Sequence, residues 1–282
     1  MSESPSPIAL PPLPQGRYRL GPVIGRGRAS TVYRARDQLL GRDVAVKAFT
    51  IQVASPEDLQ AQQREASLLA RLTHPGLVTL LDAGMDLTDP TAPQVFLIME
   101  LVPDTDLRQL LRTGPLDPLH VAYLGSDLLS AIQYVHERGI IHRDLKPANV
   151  LLTEAAGRPP RGKLADFGIA VLRGDGDEPP ELTTGTAAYL SPEQVEGRAV
   201  GPEADIYSLG LILVEACTGR PAFPGSLIDS VLARLDSEPS IPADLPKGLA
   251  AILRRMTART PDDRPTAAEA ATAFRRLIVE QL

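Results

Sequence analysis

Short runs rich in apolar residues, Tyr18–Ile24, Ser30–Asp37 and Asp43–Phe49, are separated by Gly- and Arg-rich turns. Short strand-like runs between turn signals predict a meander of hairpins. One helix interrupts it. Ser55 suits an N-cap, Pro56 the first helical position, and Glu57 and Asp58 the positive end of the dipole, so a helix is expected from there to about Leu72, ending before Pro75. Gln94–Leu101 predicts a further strand. Beyond Pro103 the period becomes helical. Leu124, Leu128, Ala131, Ile132 and Val135 recur on one face of Leu116–Arg138, which is expected to stop at Gly139. Glu203–Thr218 is apolar on most sides, the pattern of a buried central helix, and Thr266 with Glu269 forms a capping box for the last helix. The Pro/Gly-rich stretches Glu154–Gly162 and Arg173–Pro180 are expected to be exposed loops.

This order divides the chain into a proline-rich tail (1–16), a strand-rich part (17–102) and a helical part (103–282). The tail holds Pro5, Pro7, Pro11, Pro12 and Pro14, which remove amide donors and favour extended backbone. A 43% hydrophobic content over 282 residues allows a sizeable core and excludes global disorder. The net charge of −6 argues against a dedicated nucleic-acid binder. Cys217 is the lone cysteine, so no disulfide forms within the chain; in its apolar surroundings it reads as a buried thiol. The N-terminus lacks the pattern of a signal peptide, and the longest apolar stretch, Leu209–Val214, is far short of a membrane span. The expectation is a cytoplasmic protein without a transmembrane segment.

Five motifs stand out. Ile24-Gly25-Arg26-Gly27-Arg28-Ala29-Ser30-Thr31-Val32 is a G-x-G-x-x-S-x-V turn between two expected strands. Glycines let backbone amides approach phosphate, although alone the pattern also fits an ordinary hairpin. Val44-Ala45-Val46-Lys47 sets a lysine in an apolar strand, where it either finds an anion, with Glu65 the natural partner, or snorkels from an edge. Then come His142-Arg143-Asp144-Leu145-Lys146-Pro147-Ala148-Asn149 and Asp166-Phe167-Gly168, followed by Ser191-Pro192-Glu193.

In this order and spacing the set resembles the eukaryotic-type (Hanks-type) bacterial serine/threonine protein kinases over about Tyr18–Leu282. The resemblance implies an α+β, two-lobed fold: an N-lobe antiparallel sheet with one regulatory helix, and a mainly helical C-lobe. It also implies transfer of the ATP γ-phosphate to serine or threonine of proteins, including the chain's own activation loop. The rival is a pseudokinase acting as a nucleotide-binding scaffold. The implied cofactors are ATP and Mg2+, with Mn2+ as a substitute. The implied partners are proteins with Ser/Thr acceptors and a second copy in a homodimer for trans-autophosphorylation, with no nucleic acid.

Carried over residue by residue, the phosphates would lie under Gly25, Gly27 and the Ser30 position, beside Ile24. Lys47 would hold the α- and β-phosphates and pair with Glu65. Val32, Ala45 and Leu151 would enclose adenine, with Met99 as gatekeeper, the backbone of Glu100–Val102 as hinge and Asp106 on the ribose. Asp144 resembles the catalytic base, Lys146 steadies the γ-phosphate, and Asn149 and Asp166 hold the metal. Thr186 would pack under the acceptor residue. Structural roles are implied for the pair Glu193 and Arg264, for Asp205 under the catalytic loop, and for Leu69, Leu80, His142 and Phe167 in a hydrophobic spine. Arg143, beside the base, would meet a phosphate on Thr183 or Thr184. Ser30 in place of a third glycine, with Ala29 before it, departs from the family pattern and implies weaker nucleotide binding. The 17 positions between Asn149 and Asp166 exceed the usual spacing and imply a longer hairpin tip.

Among 29 basic residues only Lys47, Lys146, Lys163 and Lys247 are lysines. The resemblance puts two of them on phosphate-handling positions. Arginine's planar fork cannot stand in for a compact point charge there.

Overall fold

The computed structural model describes residues 16–27, 30–49, 63, 66–67, 69–86, 94–102, 105–155, 158–166 and 187–280. Most of the proline-rich tail, Ala29, most of the helix expected from Ser55 including Glu65, and the segment carrying Phe167, Gly168, Thr183, Thr184 and Thr186 lie outside the described residues. Of that expected helix, Gln63, Ala66, Ser67 and Leu69 are described and helical. The chain packs as two compact units, Met1–Pro103 and Asp104–Leu282.

The first unit is built on five strands: β1 (Tyr18–Arg26), β2 (Ser30–Asp37), β3 (Arg42–Phe49), β4 (Leu80–Asp86) and β5 (Gln94–Glu100). They pair antiparallel in the order β1-β2-β3-β5-β4. β3 lies in the middle, which is why Val44–Phe49 is buried on both faces and reads as an apolar run broken only by Lys47. One face carries a core of Ala35, Val44, Val46, Ala48, Phe96 and Ile98, flanked by Tyr18, Tyr33 and Leu81. Each buried valine there contributes roughly 1.5–3 kcal/mol relative to exposure. The pattern of residues does not announce β4: it is an edge strand, half-buried, with Asp82, Gly84 and Asp86 at alternate positions. The start of the unit is fixed by Arg17, whose guanidinium donates to the fully buried Asp37 carboxylate (3.2 Å) and to Asp82 (2.9 Å).

The second unit opens with α1 (Leu107–Leu111) and α2 (Pro118–His136). Asp117 caps α2 by accepting from Leu119 N, and Pro118 fills the first turn. A two-stranded sheet, β6 (Val150–Ala155) and β7 (Arg158–Leu164), lies against α2. The loop expected over Glu154–Gly162 is therefore mostly strand. Pro159 and Pro160 sit within β7, which a two-stranded sheet tolerates because every strand in it is an edge. Gly162 is buried rather than exposed, and a Cβ there would come within 2.7 Å of Leu124.

The remaining helices are α3 (Pro192–Val195), α4 (Glu203–Thr218), α5 (Leu227–Asp236), α6 (Lys247–Met256) and α7 (Ala267–Glu280). α4 is buried on all sides from Ala204 to Val214 and ends at Gly219, whose φ of 69° is the left-handed cap that glycine supplies. α2 and α7 meet closely at Gly125, where a Cβ would lie 2.5 Å from the Phe274 ring. The Thr266–Glu269 capping box forms reciprocally, with Thr266 N donating to Glu269 Oε2 (2.9 Å) and Glu269 N to Thr266 Oγ1 (3.2 Å). Cys217 is half-buried and its thiol is pushed up to about 12 by that burial, so it is no nucleophile. Among the described residues, no helix is long and apolar enough to cross a membrane.

Candidate active site

Strand pleating assembles the first group of residues. Directly opposed residues share a sheet face, as do residues two apart. Val32 and Leu97 both oppose Lys47, Met99 opposes Ala45, and Gly25 opposes Val32. Gly25, Val32, Ala45, Lys47 and Met99 thus line one face, the reverse of the apolar core. Gly27 N donates to Ser30 O (2.8 Å) and closes the glycine turn. Ser30, the position of the missing third glycine, is buried at the start of β2, and Ile24 is half exposed on β1. Lys47 is only 5% exposed, and its ammonium lies 5.0 Å from the centroid of the Phe49 ring. The Glu100 side chain accepts from Thr79 N (2.8 Å), which fixes the end of β5 ahead of Val102.

The second group is local to the second unit. Asp144 accepts Lys146 Nζ on both carboxylate oxygens (3.0 and 2.8 Å). Asn149 Nδ2 donates to the Asp144 carbonyl (2.9 Å) and to its carboxylate (3.1 Å). A short 3-10 turn, Pro147–Asn149, makes this reach possible and leads directly into β6. The turn ahead of it is held from below. Asp205, 1% exposed on α4, accepts from His142 N (2.8 Å), Arg143 N (2.9 Å) and the His136 ring (2.8 Å). Burial holds the His142 imidazole below its ordinary value, against the opposite pull of Asp205, Asp144 and Asp166. Arg143 and Asp166 both adopt left-handed backbone, with φ of 62° and 59°. For a long side chain such as arginine that geometry is uncommon and costs roughly 1–2 kcal/mol. The Arg143 Nε is buried and meets no hydrogen-bond acceptor among the described residues. Asp166 is exposed at the end of β7, and Leu151 is half-buried on β6, bridged to Asp106. Asp106 also caps α1, accepting from Gln109 N (2.8 Å) and Arg108 (3.2 Å).

Below the loop lies a buried ion pair. Arg264 spends all five N–H donors: on Glu193 Oε1 (2.6 Å) and Oε2 (2.9 Å), and on the carbonyls of Glu203 (3.0 Å), Ala258 (2.8 Å) and Arg259 (2.9 Å). Burial pushes the Glu193 carboxyl up, but the bonds and charge of Arg264 outweigh it and hold the group below its ordinary value. Gln194 beside it donates to the Arg143 carbonyl (3.3 Å).

These motifs converge with comparison to known proteins. The sequence model of the family described as "Protein kinase domain" matches residues 18–273. The chain belongs to the protein kinase family. Among curated relatives of this kinase chain, a probable serine/threonine-protein kinase of Streptomyces coelicolor is 39% identical over 264 residues, covering 90% of this chain and 38% of the relative. Serine/threonine-protein kinase PkaA of the same organism is 37% identical, covering 92% of this chain and 49% of that protein. Serine/threonine-protein kinase PknB of Mycobacterium tuberculosis is 38% identical, covering 90% and 41%. The kinase chain spans less than half the length of these relatives.

Several supports of the site escape a reading of the sequence. His136 and Gln194 brace the loop that carries Asp144, and Ser208 and Arg234 hold the backbone of Ala187–Tyr189. Each is an ordinary helix residue by pattern. The one available signal is polarity inside an apolar stretch, as for Ser208 within α4.

Proposed function

We propose that this chain transfers the γ-phosphate of ATP to serine and threonine hydroxyls of proteins. The observation that carries the reading is the local constellation of Asp144, Lys146 and Asn149 on a loop pinned by Asp205. Phosphoryl transfer leaves a protein little covalent work, so position and charge are what the site must supply. In this reading Asp144 orients the acceptor hydroxyl and takes its proton. Lys146 holds the carboxylate in place and steadies the transferred phosphoryl oxygens. Lys47, a point charge on the sheet face shared with Gly25, Val32, Ala45 and Met99, binds the α- and β-phosphates. Within the first unit the backbone of Glu100–Val102 offers adenine its hydrogen-bonding edge; within the second, Asp106 has acceptor capacity left beyond its capping bonds for a ribose hydroxyl and Leu151 lies beside it.

The donor set fits a divalent magnesium ion. Asn149 commits its amide nitrogen to Asp144, which leaves its oxygen as the end a cation takes, and Asp166 adds an exposed carboxylate. Two hard oxygen donors plus phosphate oxygens suit magnesium, with manganese as a substitute. When bound, the ion supplies charge neutralisation between the phosphates.

The buried Arg143 Nε supports a phosphate on Thr183 or Thr184 as an activating modification. Trans-autophosphorylation between two copies and a cytoplasmic location, where ATP is at hand, belong to the same proposal. Incubation of the chain with magnesium and γ-labelled ATP, followed by phosphosite mapping, tests it. Label on serine or threonine that disappears in Asp144→Asn is expected. No label, or equal label in both proteins, overturns it.

A further inference from the structure

Arg234, on α5, is 1% exposed, and among the described residues no carboxylate pairs with it. Its guanidinium donates to the carbonyls of Ala187 (2.6 Å) and Ala188 (2.9 Å) and to Ser230 Oγ (3.1 Å), while its Nε finds no acceptor among the described residues. The cation lies 5.4 Å from the centroid of the Phe223 ring. Burial depresses its basicity and only the Tyr207 hydroxyl works the other way. A cation removed from water against neutral acceptors alone is a poor way to stabilise a fold, since an apolar side chain of similar volume would pack without the desolvation cost. What the guanidinium does achieve is geometric. Its planar fork takes two successive carbonyls at once, which a single-point donor cannot do.

The next carbonyl along, Tyr189 O, is taken by Ser208 Oγ of α4 (2.7 Å), and the Tyr189 hydroxyl donates to Glu215 (2.6 Å). Three consecutive peptide units, Ala187 to Tyr189, are thus held by side chains from two helices. This short 3-10 turn begins one residue after Thr186, the position expected to pack under the acceptor. We infer that Arg234 is a positioning residue for the phosphoryl acceptor: it acts through Ala187 and Ala188 to hold the segment against which the substrate polypeptide registers. The inference rests on the kinase reading above and extends it to the acceptor side. Ser208 is the second member of the same clamp, and neither residue touches the nucleotide-handling groups.

The test separates acceptor from nucleotide. Steady-state kinetics of the full chain are measured with ATP and with a serine/threonine peptide chosen from an array as a wild-type acceptor. Arg234→Met, which strands the buried Ala187 carbonyl and the part-buried Ala188 carbonyl, is expected to raise the KM for peptide about tenfold. Arg234→Lys, which keeps the charge but not the fork, is expected to raise it about threefold. In both the KM for ATP stays within about twofold of wild type. Ser208→Ala is expected to give the same signature as the lysine variant and carries the test together with it if Arg234→Met does not fold. An unchanged KM for peptide in folded variants overturns the inference, as does a parallel loss across peptide, ATP and kcat. A wild-type chain that transfers no phosphate to any peptide refutes the kinase reading, and this inference with it.

Discussion

The Glu193–Arg264 pair ties α3, the start of α4 and the loop before α7 to one another, and Glu193→Gln tests how much of the second unit depends on it. The side chains are 3% and 0% exposed, so neither charge is compensated by water. Removing the carboxylate charge leaves Arg264 with three carbonyls and one weaker amide contact around a buried cation. At about 4 Å and an effective dielectric constant near 20, two unit charges attract by about 4 kcal/mol. Breaking a buried pair from one side costs about 3–5 kcal/mol for the same reason. Losing both charges in Glu193→Gln/Arg264→Met should cost less than the sum of the two single changes, with a coupling of at least about 2 kcal/mol. The chain has no tryptophan, so urea melts followed by circular dichroism are the suitable measurement. The pH response has a defined sign. Because Arg264 holds the Glu193 pKa below its ordinary value of 4.5, the pair contributes fully above that value, and its contribution disappears as pH falls through the depressed folded-state pKa. A Glu193→Gln variant within about 0.5 kcal/mol of wild type at pH 7, or strict additivity in the double variant, would refute the reasoning.

Three other outcomes follow from the site. Lys47→Arg should lower kcat/KM at least about 100-fold, since a fork replaces a point charge at a 5%-exposed position, whereas Lys247→Arg, exposed at the start of α6, should match wild type in a radiometric assay. Asp205→Asn should fold and yet lose about 10- to 100-fold in kcat, because an amide cannot accept from both His142 N and Arg143 N as the two carboxylate oxygens do; amide hydrogen exchange at those two positions should rise with it. Burial lowers the His142 pKa, so below its ordinary value of 6.5 the unfolded chain binds a proton that the folded one does not; stability should fall by up to about 1.4 kcal/mol per pH unit there, and His142→Phe should flatten that slope in melts between pH 5 and pH 7.

How much of this a reader of the sequence can see depends on where each residue's constraint originates. β3 is legible because a central strand must be apolar on both faces, and Lys47 stands out for breaking that rule. β4 is not, because an edge strand needs only one apolar face and its aspartates suit the other. The hairpin of β6 and β7 is masked by Pro159 and Pro160, which signal a loop unless one knows the sheet has no inner strand. In the site, Asp144, Lys146 and Asn149 fall within six residues, and their mutual contacts follow from one tight turn. Glu193 and Arg264 are 71 positions apart and only a resemblance to a family couples them. His136, Ser208 and Arg234 carry no local mark, since the burial that makes each of them consequential is created by helices distant in sequence.

The left-handed backbone at Arg143 and Asp166 sets this kinase's chemistry against its own durability. Glycine at either position would relieve roughly 1–2 kcal/mol of conformational strain while deleting a charge beside the proposed base or a proposed ligand for the metal. A laboratory selection for heat resistance alone would therefore converge on these two codons and enrich proteins that last longer and phosphorylate less. Any stabilised version meant to keep its activity has to be evolved under simultaneous selection for turnover, with 143 and 166 left out of the library.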